Sequence, residues 1–321
     1  MPISPGSRRI ARTRATAPSS TRWFGIAQRA PWLMSESAAA PDLAVVTFNL
    51  VPEHNPTAKY ERLGRMGLVN RRLWCARHGW PLYGAARVDP GRPACWAKFD
   101  AIAAALDRHA WVLWADADAL VADPARSGAE FCVDGADIVT QCFDRVADWL
   151  GVAPEVIRRR QPINTGVILL RSTPWIRELF ARARLRTEFA LPPGTGPNAV
   201  WDGIGDQEAL IAVLAEDPGA EARIRRVPDL QAHPALLADS RALFVHFWGN
   251  HGAHRIPAAT CEAVLARWER AVAAGGALPS DLALFHWCAI QMRAPDAPFD
   301  RGGPERFLYP ANLGVPPSCT E

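Results

Sequence analysis

The stretch Ala110-Trp111-Val112-Leu113-Trp114-Ala115-Asp116-Ala117-Asp118-Ala119-Leu120 decides the fold of this chain. Its apolar run from Trp111 to Trp114 predicts a strand buried on both faces, and Asp116 and Asp118 stand where that strand leaves the sheet. Alternate residues of a strand share a face, so both carboxylates can point into one crevice at the strand's carboxyl end. In a fully extended chain the two side chains would start roughly 6 to 7 Å apart, whereas oxygens around a small cation lie about 3 Å apart. The chain must therefore bend at Asp118, or one carboxylate must act through water or a ligand hydroxyl. Such a pair leaves most coordination positions of a divalent cation open, and a diphosphate suits those positions. The same triplet also suits a plain polar turn or a helix cap, and Asp123-Pro124 just downstream is turn chemistry of that kind.

Strands and helices alternate on either side of this stretch. Upstream, residues 43–49 predict a first strand, Lys59 to about Arg77 a helix stopped by Gly79, residues 81–86 a second strand, and residues 97–107 a helix. Downstream, strands are expected at 137–143, 163–170 and 242–248, with helices at 175–184, 204–214 and 257–275. This order predicts an α/β, Rossmann-like domain with a mostly parallel central sheet and helices on both faces. The expected limits are a disordered basic segment over 1–40, one domain over 41–280 and a carboxyl-terminal extension over 281–321.

The 321 residues, 49% of them hydrophobic, are enough for a large core. A net charge of +3 owes much to Arg8, Arg9, Arg12, Arg14, Arg22 and Arg29, which meet no acidic residue in the first 30 positions, so it does not argue for nucleic acid. Seven scattered cysteines with no Cys-x-x-Cys pair read as reduced thiols, not as a zinc site or a disulfide framework, and fit the cytoplasm. No run approaches 18 apolar residues, so no membrane span is expected. A peripheral contact of the basic segment with the inner membrane surface is the alternative location, and Met34 offers an alternative start.

Three later motifs bear on the Asp pair. Asn164-Thr165-Gly166 puts a polar turn before a buried strand, where glycine allows a ligand or neighbouring strand to come close. Gly205-Asp206-Gln207-Glu208 places an acid and an amide in the first turn of a helix, where Asp206 alone would be an ordinary cap. His246, in Leu243-Phe244-Val245-His246-Phe247-Trp248-Gly249, would alone be an ordinary core histidine, yet a neutral imidazole there could complete a cation site.

In this order the motifs resemble the metal-dependent GT-A glycosyltransferases. The particular likeness is to the retaining galactosyltransferase and xylosyltransferase family of the fungal mannan galactosyltransferase and plant xyloglucan xylosyltransferase type, with the glycogenin-like family as a relative. It is carried by Asn70 to Trp80, Trp96-Ala97-Lys98, Trp114 to Leu120, Asn164-Thr165-Gly166 with Arg171 and Trp175, Asp206-Gln207, and His246-Phe247-Trp248-Gly249. The resemblance implies a single GT-A domain that binds Mn²⁺ or Mg²⁺ and moves a hexose or pentose from a nucleotide sugar, with a UDP sugar as the expected donor class, to a glycan, glycolipid or small acceptor. It implies that Asp116, Asp118 and His246 hold the metal, with Asp116 also bridging to the nucleotide ribose. It places Gln207 and Asp206 beside the reacting sugar as catalytic residues, and Thr47, Asn49, Lys98, Asn164, Gly249 and Arg255 on the donor.

Relatives carry a Lys soon after His-x-x-Gly, where it binds the departing diphosphate; this chain has Asn250-His251-Gly252-Ala253-His254-Arg255, so either Arg255 or a protonated His254 takes that place or diphosphate binding is weaker. Acceptor loops are expected over 141–160 and 191–202. Two other functions remain open. The altered loop at 250–255 would suit a nucleotide-sugar-binding protein without turnover. A haloacid-dehalogenase-type phosphatase also places Asp-x-Asp after a strand, but carries Thr where this chain has Leu120.

Overall fold

The computed structural model describes residues 41–48, 61–85, 94–186, 188, 205–233, 241–247 and 258–275. In chain order its strands are β1 (Leu43–Phe48), β2 (Leu82–Ala85), β3 (Trp111–Ala115), β4 (Ala119–Val121), β5 (Ile138–Gln141), β6 (Val167–Arg171), β7 (Ile224–Val227), β8 (Gln231–Ala232) and β9 (Phe244–His246). Its helices are α1 (Glu61–His78), α2 (Ala97–Leu106), α3 (Asp144–Leu150), α4 (Pro154–Arg160), α5 (Pro174–Arg184), α6 (Asp206–Ala215) and α7 (Ala258–Ala273). Six strands form a central sheet in the order β2-β1-β3-β6-β5-β7, and β4-β9-β8 form a small second sheet.

The central strands β1, β3 and β6 are largely apolar because the sheet is covered on both faces. Leu43 and Val45 of β1, Leu113 and Ala115 of β3, and Val167 and Leu169 of β6 join a core with Met66, Leu73 and Trp74 of α1 and Leu265 and Trp268 of α7. The alternate residues Val46, Val112, Trp114, Ile168 and Leu170 face the other way, onto Ile102 and Leu106 of α2, Ile176 and Leu179 of α5 and Leu210 and Val213 of α6. The expected α/β plan is therefore the plan the chain adopts, as one mixed domain with a mostly parallel sheet and helices on both faces. One strand departs from parallel: β6 runs antiparallel to both β3 and β5.

Local signals set several boundaries. Gly79, at φ +73°, closes α1 in the left-handed region that glycine tolerates. Thr173 caps α5 by accepting the Ile176 N–H, and Pro174 follows at the first helical position.

Three expectations need correction. The strand expected from residue 163 begins at Val167, because side chains serve the backbone before it: Asn164 N–H donates to Thr140 Oγ1, Thr165 N–H to Gln207 Oε1 and Gly166 N–H to Asn164 Oδ1. The strand around His246 does not extend the parallel sheet but pairs antiparallel with β4 in the small one. Residues 144–160, expected as loop, hold α3 and α4, which pack Val146, Ala147 and Ile157 with Phe143 into a small core of their own. The expected segments 1–40, 191–202 and 281–321 lie outside the described residues. Among those described, no helix is long and apolar enough to cross a membrane.

Candidate active and metal site

The chain bends directly after β3, as the spacing of the two carboxylates requires. Ala119 N–H returns to the Asp116 carbonyl at 3.1 Å, so residues 116–119 form a tight turn between β3 and β4. Helix α1 grips this turn from beneath. Asn70 pairs with the backbone of Val121 in both directions, donating to its carbonyl at 3.2 Å and accepting its N–H at 2.7 Å. The buried Arg71 guanidinium donates to the Asp116 carbonyl at 2.9 Å and to the Ala119 carbonyl. Burial pulls Arg71 down to about 10, and Asp116 and Asp118 oppose that shift, so it stays a cation at neutral pH.

Pairing of β4 with β9 then brings His246 to the Asp pair. His246 stands opposite Ala119 in the ladder, and Phe247 N–H donates to the Asp118 carbonyl at 3.1 Å. This brings His246 Nε2 to 3.4 Å from Asp118 Oδ1. One donor atom from each of Asp116, Asp118 and His246 lies within 4.8 Å of the others. Two carboxylate oxygens and an imidazole nitrogen suit Mn²⁺ or a similar divalent cation. The charge balance agrees, since the carboxylates of Asp116, Asp118 and Asp206 meet the fixed cations Lys98 and Arg71. The residues present therefore fit the metal that the motif implies.

Asp116 and Asp118 are tuned differently. Burial raises the Asp116 carboxyl above the usual carboxylate value; Lys98 opposes the shift, while Asp206 and Asp118 add to it. Burial also pushes Asp118 up, but a protonated His246, together with Arg71, outweighs it and holds this carboxyl below the usual value for as long as the imidazole carries its charge. Asp116 shares the face of Trp114, two residues before it, and the indole N–H donates to Asp116 Oδ1 at 2.5 Å. Lys98 Nζ lies 3.0 Å from the same oxygen.

Lys98 joins the Asp pair to the second motif. Its ammonium, buried on α2, donates to Asp206 Oδ2 at 2.6 Å and to the Thr165 carbonyl at 3.0 Å as well as facing Asp116. Thr165 adds a hydroxyl donated to Asp206 Oδ2 at 2.8 Å, and its N–H reaches Gln207 Oε1 at 3.0 Å. Asp206 is thus not a helix cap: Gly205 holds that position without a side-chain bond, and the Asp206 carboxylate faces Lys98 and Thr165.

The remaining expected residues divide. Thr47 is buried and gives its hydroxyl to the Ala115 carbonyl at 2.8 Å, and Asn164 turns its side-chain oxygen onto Gly166 N–H. Both shape the site's backbone. Asn49, Gly249, His254 and Arg255 lie outside the described residues, as does the phosphate-binding contact expected there.

Sequence reasoning gave no role to Arg71, Thr165 or Gln231. Arg71 sat unremarked in a helical stretch, and Gln231 in a two-residue strand without a motif. Trp114 was within reach, since its spacing from Asp116 already puts both on one face.

The comparisons with known proteins bear on the first half of this site. Residues 40–141 match the model of the galactosyl transferase GMA12/MNN10 family. This segment is glycosyltransferase sequence. It runs from β1 through β5 and contains Lys98, Asp116 and Asp118, whereas Asn164, Asp206, Gln207 and His246 lie beyond it. No curated protein matches the sequence.

Among solved structures, the chain is similar to a glycosyltransferase involved in the glycosylation of the major capsid of PBCV-1, at 18% identity and TM-score 0.47 over 71% of this chain and 100% of that one. It is also similar to a mutant Drosophila β-1,4-galactosyltransferase 7 in complex with manganese, UDP-Gal and xylobiose, at 12% identity and TM-score 0.35 over 67% and 74% of the two chains. Mouse xyloside xylosyltransferase 1 is similar at 13% identity and TM-score 0.35 over 65% and 98%.

Proposed function

We propose that the protein is a divalent-metal-dependent, retaining glycosyltransferase that moves a hexose or pentose from a UDP sugar to a glycan, glycolipid or small acceptor. The observation that carries this reading is the convergence of Asp116, Asp118 and His246 at the end of β3, within and beside the matched glycosyltransferase segment. Bound there, Mn²⁺ or Mg²⁺ would neutralise the charge that collects on the diphosphate oxygens as the sugar leaves.

The protein's own groups supply position and electrostatics. Lys98 holds Asp116 and Asp206 at fixed separation, so that the end bearing the cation and the end facing the sugar move as one body. Asp206 and Gln207, at the start of α6, offer oxygen atoms that can stabilise positive charge on the sugar ring. Gln207 is an amide and a poor nucleophile, and the Asp206 carboxylate is engaged by Lys98 and Thr165. These residue types favour attack from the face the leaving group vacates over a covalent sugar–enzyme bond. Residues 41–280 form the transferase domain in this reading, acting in the cytoplasm or at the inner membrane surface.

Calorimetric titration of UDP with and without Mn²⁺ tests it. Wild-type protein should bind UDP only with the metal, and Asp118→Ala should abolish the metal-dependent part. UDP binding that is equal in EDTA, or untouched by Asp118→Ala, would overturn the assignment. Slow Mn²⁺-dependent hydrolysis of UDP sugars would separate a transferase from a binding protein without turnover.

A further inference from the structure

We infer that Gln231 is a positioning residue that sets the tautomer and aim of the His246 imidazole, so that the nitrogen facing Asp118 presents a lone pair. This rests on the metal site of the proposed function.

The inference follows from donor and acceptor chemistry alone. Gln231 lies on β8, fully buried, beside β9 in a parallel pair. Its side-chain Nε2 is 3.0 Å from the Val167 carbonyl at the start of β6. A carbonyl oxygen can only accept, so this end of the amide is the NH₂ group, and Gln231 Oε1 is the end that faces His246. That oxygen also can only accept. His246 Nδ1, 2.9 Å away, must therefore carry the hydrogen, and in the neutral ring Nε2 is left with its lone pair toward Asp118 Oδ1.

Packing fixes the ring as firmly as the hydrogen bond does. A Cβ at Gly166 would fall 1.8 Å from His246 Cε1, so the imidazole lies directly over the glycine backbone. The Gly166 carbonyl in turn accepts the Asp116 N–H at 2.7 Å. The metal ligands are thus registered against β6 twice, once through Gly166 and once through Gln231. Histidines that bind metals commonly donate their other ring nitrogen to a carboxylate or carbonyl, which orients the ring. Here an uncharged amide fills that role, and its second hydrogen bond to Val167 prevents it from flipping.

Nitrogen-detected NMR of the histidine side chains and Mn²⁺ titration, alone and with saturating UDP, test the inference on the full chain. In metal-free wild type, His246 should show the hydrogen on Nδ1. Gln231→Met, close in volume but without either hydrogen bond, should lose that preference and bind Mn²⁺ roughly 10- to 100-fold more weakly. His246→Ala should weaken Mn²⁺ binding at least as much. If His246 in wild type carries its hydrogen on Nε2, or if folded Gln231→Met keeps both the tautomer and the Mn²⁺ affinity of wild type, the positioning role is wrong. The wild-type tautomer decides the question even if Gln231→Met does not fold. Failure of wild type to bind Mn²⁺ under any condition, with Nδ1–H intact, would instead count against the metal-dependent function.

Discussion

Replacing Gly166 by alanine should disable the proposed metal site through a single methyl group. The backbone there does not itself demand glycine, since the described glycines with positive φ are 79, 135, 151 and 275. The clash is with the imidazole: the new carbon would stand 1.8 Å from His246 Cε1, 2.4 Å from Nε2 and 2.5 Å from Nδ1. Carbon contacts settle at about 3.5 to 4.0 Å, so the ring must retreat by roughly 2 Å. Metal ligation tolerates deviations of only about 0.2 Å, and Nε2 therefore leaves the ligand set. Overpacking costs about 1–3 kcal/mol, and losing the bond to Gln231 adds about 1 kcal/mol, for a total of about 2–4 kcal/mol. Urea unfolding measures that loss, and titration with Mn²⁺ and UDP should show binding weakened at least roughly tenfold. The decisive comparison is a double-mutant cycle. With His246→Ala already in place these three clashes are gone, and Gly166→Ala should cost clearly less than it does in the wild-type background. Equal destabilisation in both backgrounds, or wild-type Mn²⁺ affinity in Gly166→Ala, would refute the packing argument.

Three further outcomes follow from neighbouring contacts. Lys98→Met leaves Asp206 and Asp116 without their shared cation, and should destabilise the fold by about 3 kcal/mol, the low end for a broken buried pair because a third of the Asp116 side chain is open to water; thermal unfolding that matches wild type would contradict the bridge. Asn70→Ala strands the Val121 N–H and carbonyl, and should cost about 2 kcal/mol in urea unfolding while leaving α1 intact by circular dichroism. Mn²⁺ affinity should fall on acidification, because protons compete for the carboxylates that bind the ion. Burial raises Asp116, so its share of that loss begins at higher pH than for an ordinary carboxylate near 3.8. Calorimetry across a pH series checks this, and a flat profile down to the ordinary carboxylate range would oppose it.

The sequence disclosed what depends on period and order. Buried β1 and β3, helix α2 and the turn at the Asp pair all follow from apolar runs and from the reach of two carboxylates one residue apart. What stayed hidden depends on pairing between distant segments. Nothing local marks β6 as reversed, because a strand buried on both faces has the same composition in either direction. Strands β4 and β8 are too short for an alternation to register, although they bring His246 beside Asp118 and Gln231 beside His246. Arg71 resembles any helical arginine until α1 is docked beneath the turn. Pro154 lies within the acceptor loop expected at 141–160, yet it opens α4 at a position where proline favours a helix.

The placement of His246 on β9 also governs when the protein acquires a complete site. A ribosome finishes β3 and its two carboxylates early, but β4 gains its antiparallel partner only when residues 244–246 have been made. Until then the growing chain holds the Asp pair without an imidazole, and β4 has no ladder to fix the far side of the turn. Contacts between segments so remote in sequence form slowly, because the intervening chain must first be ordered. Completion of the proposed metal site is therefore a late event in folding, and a chain released before β9 would hold every strand of the central sheet while lacking the imidazole.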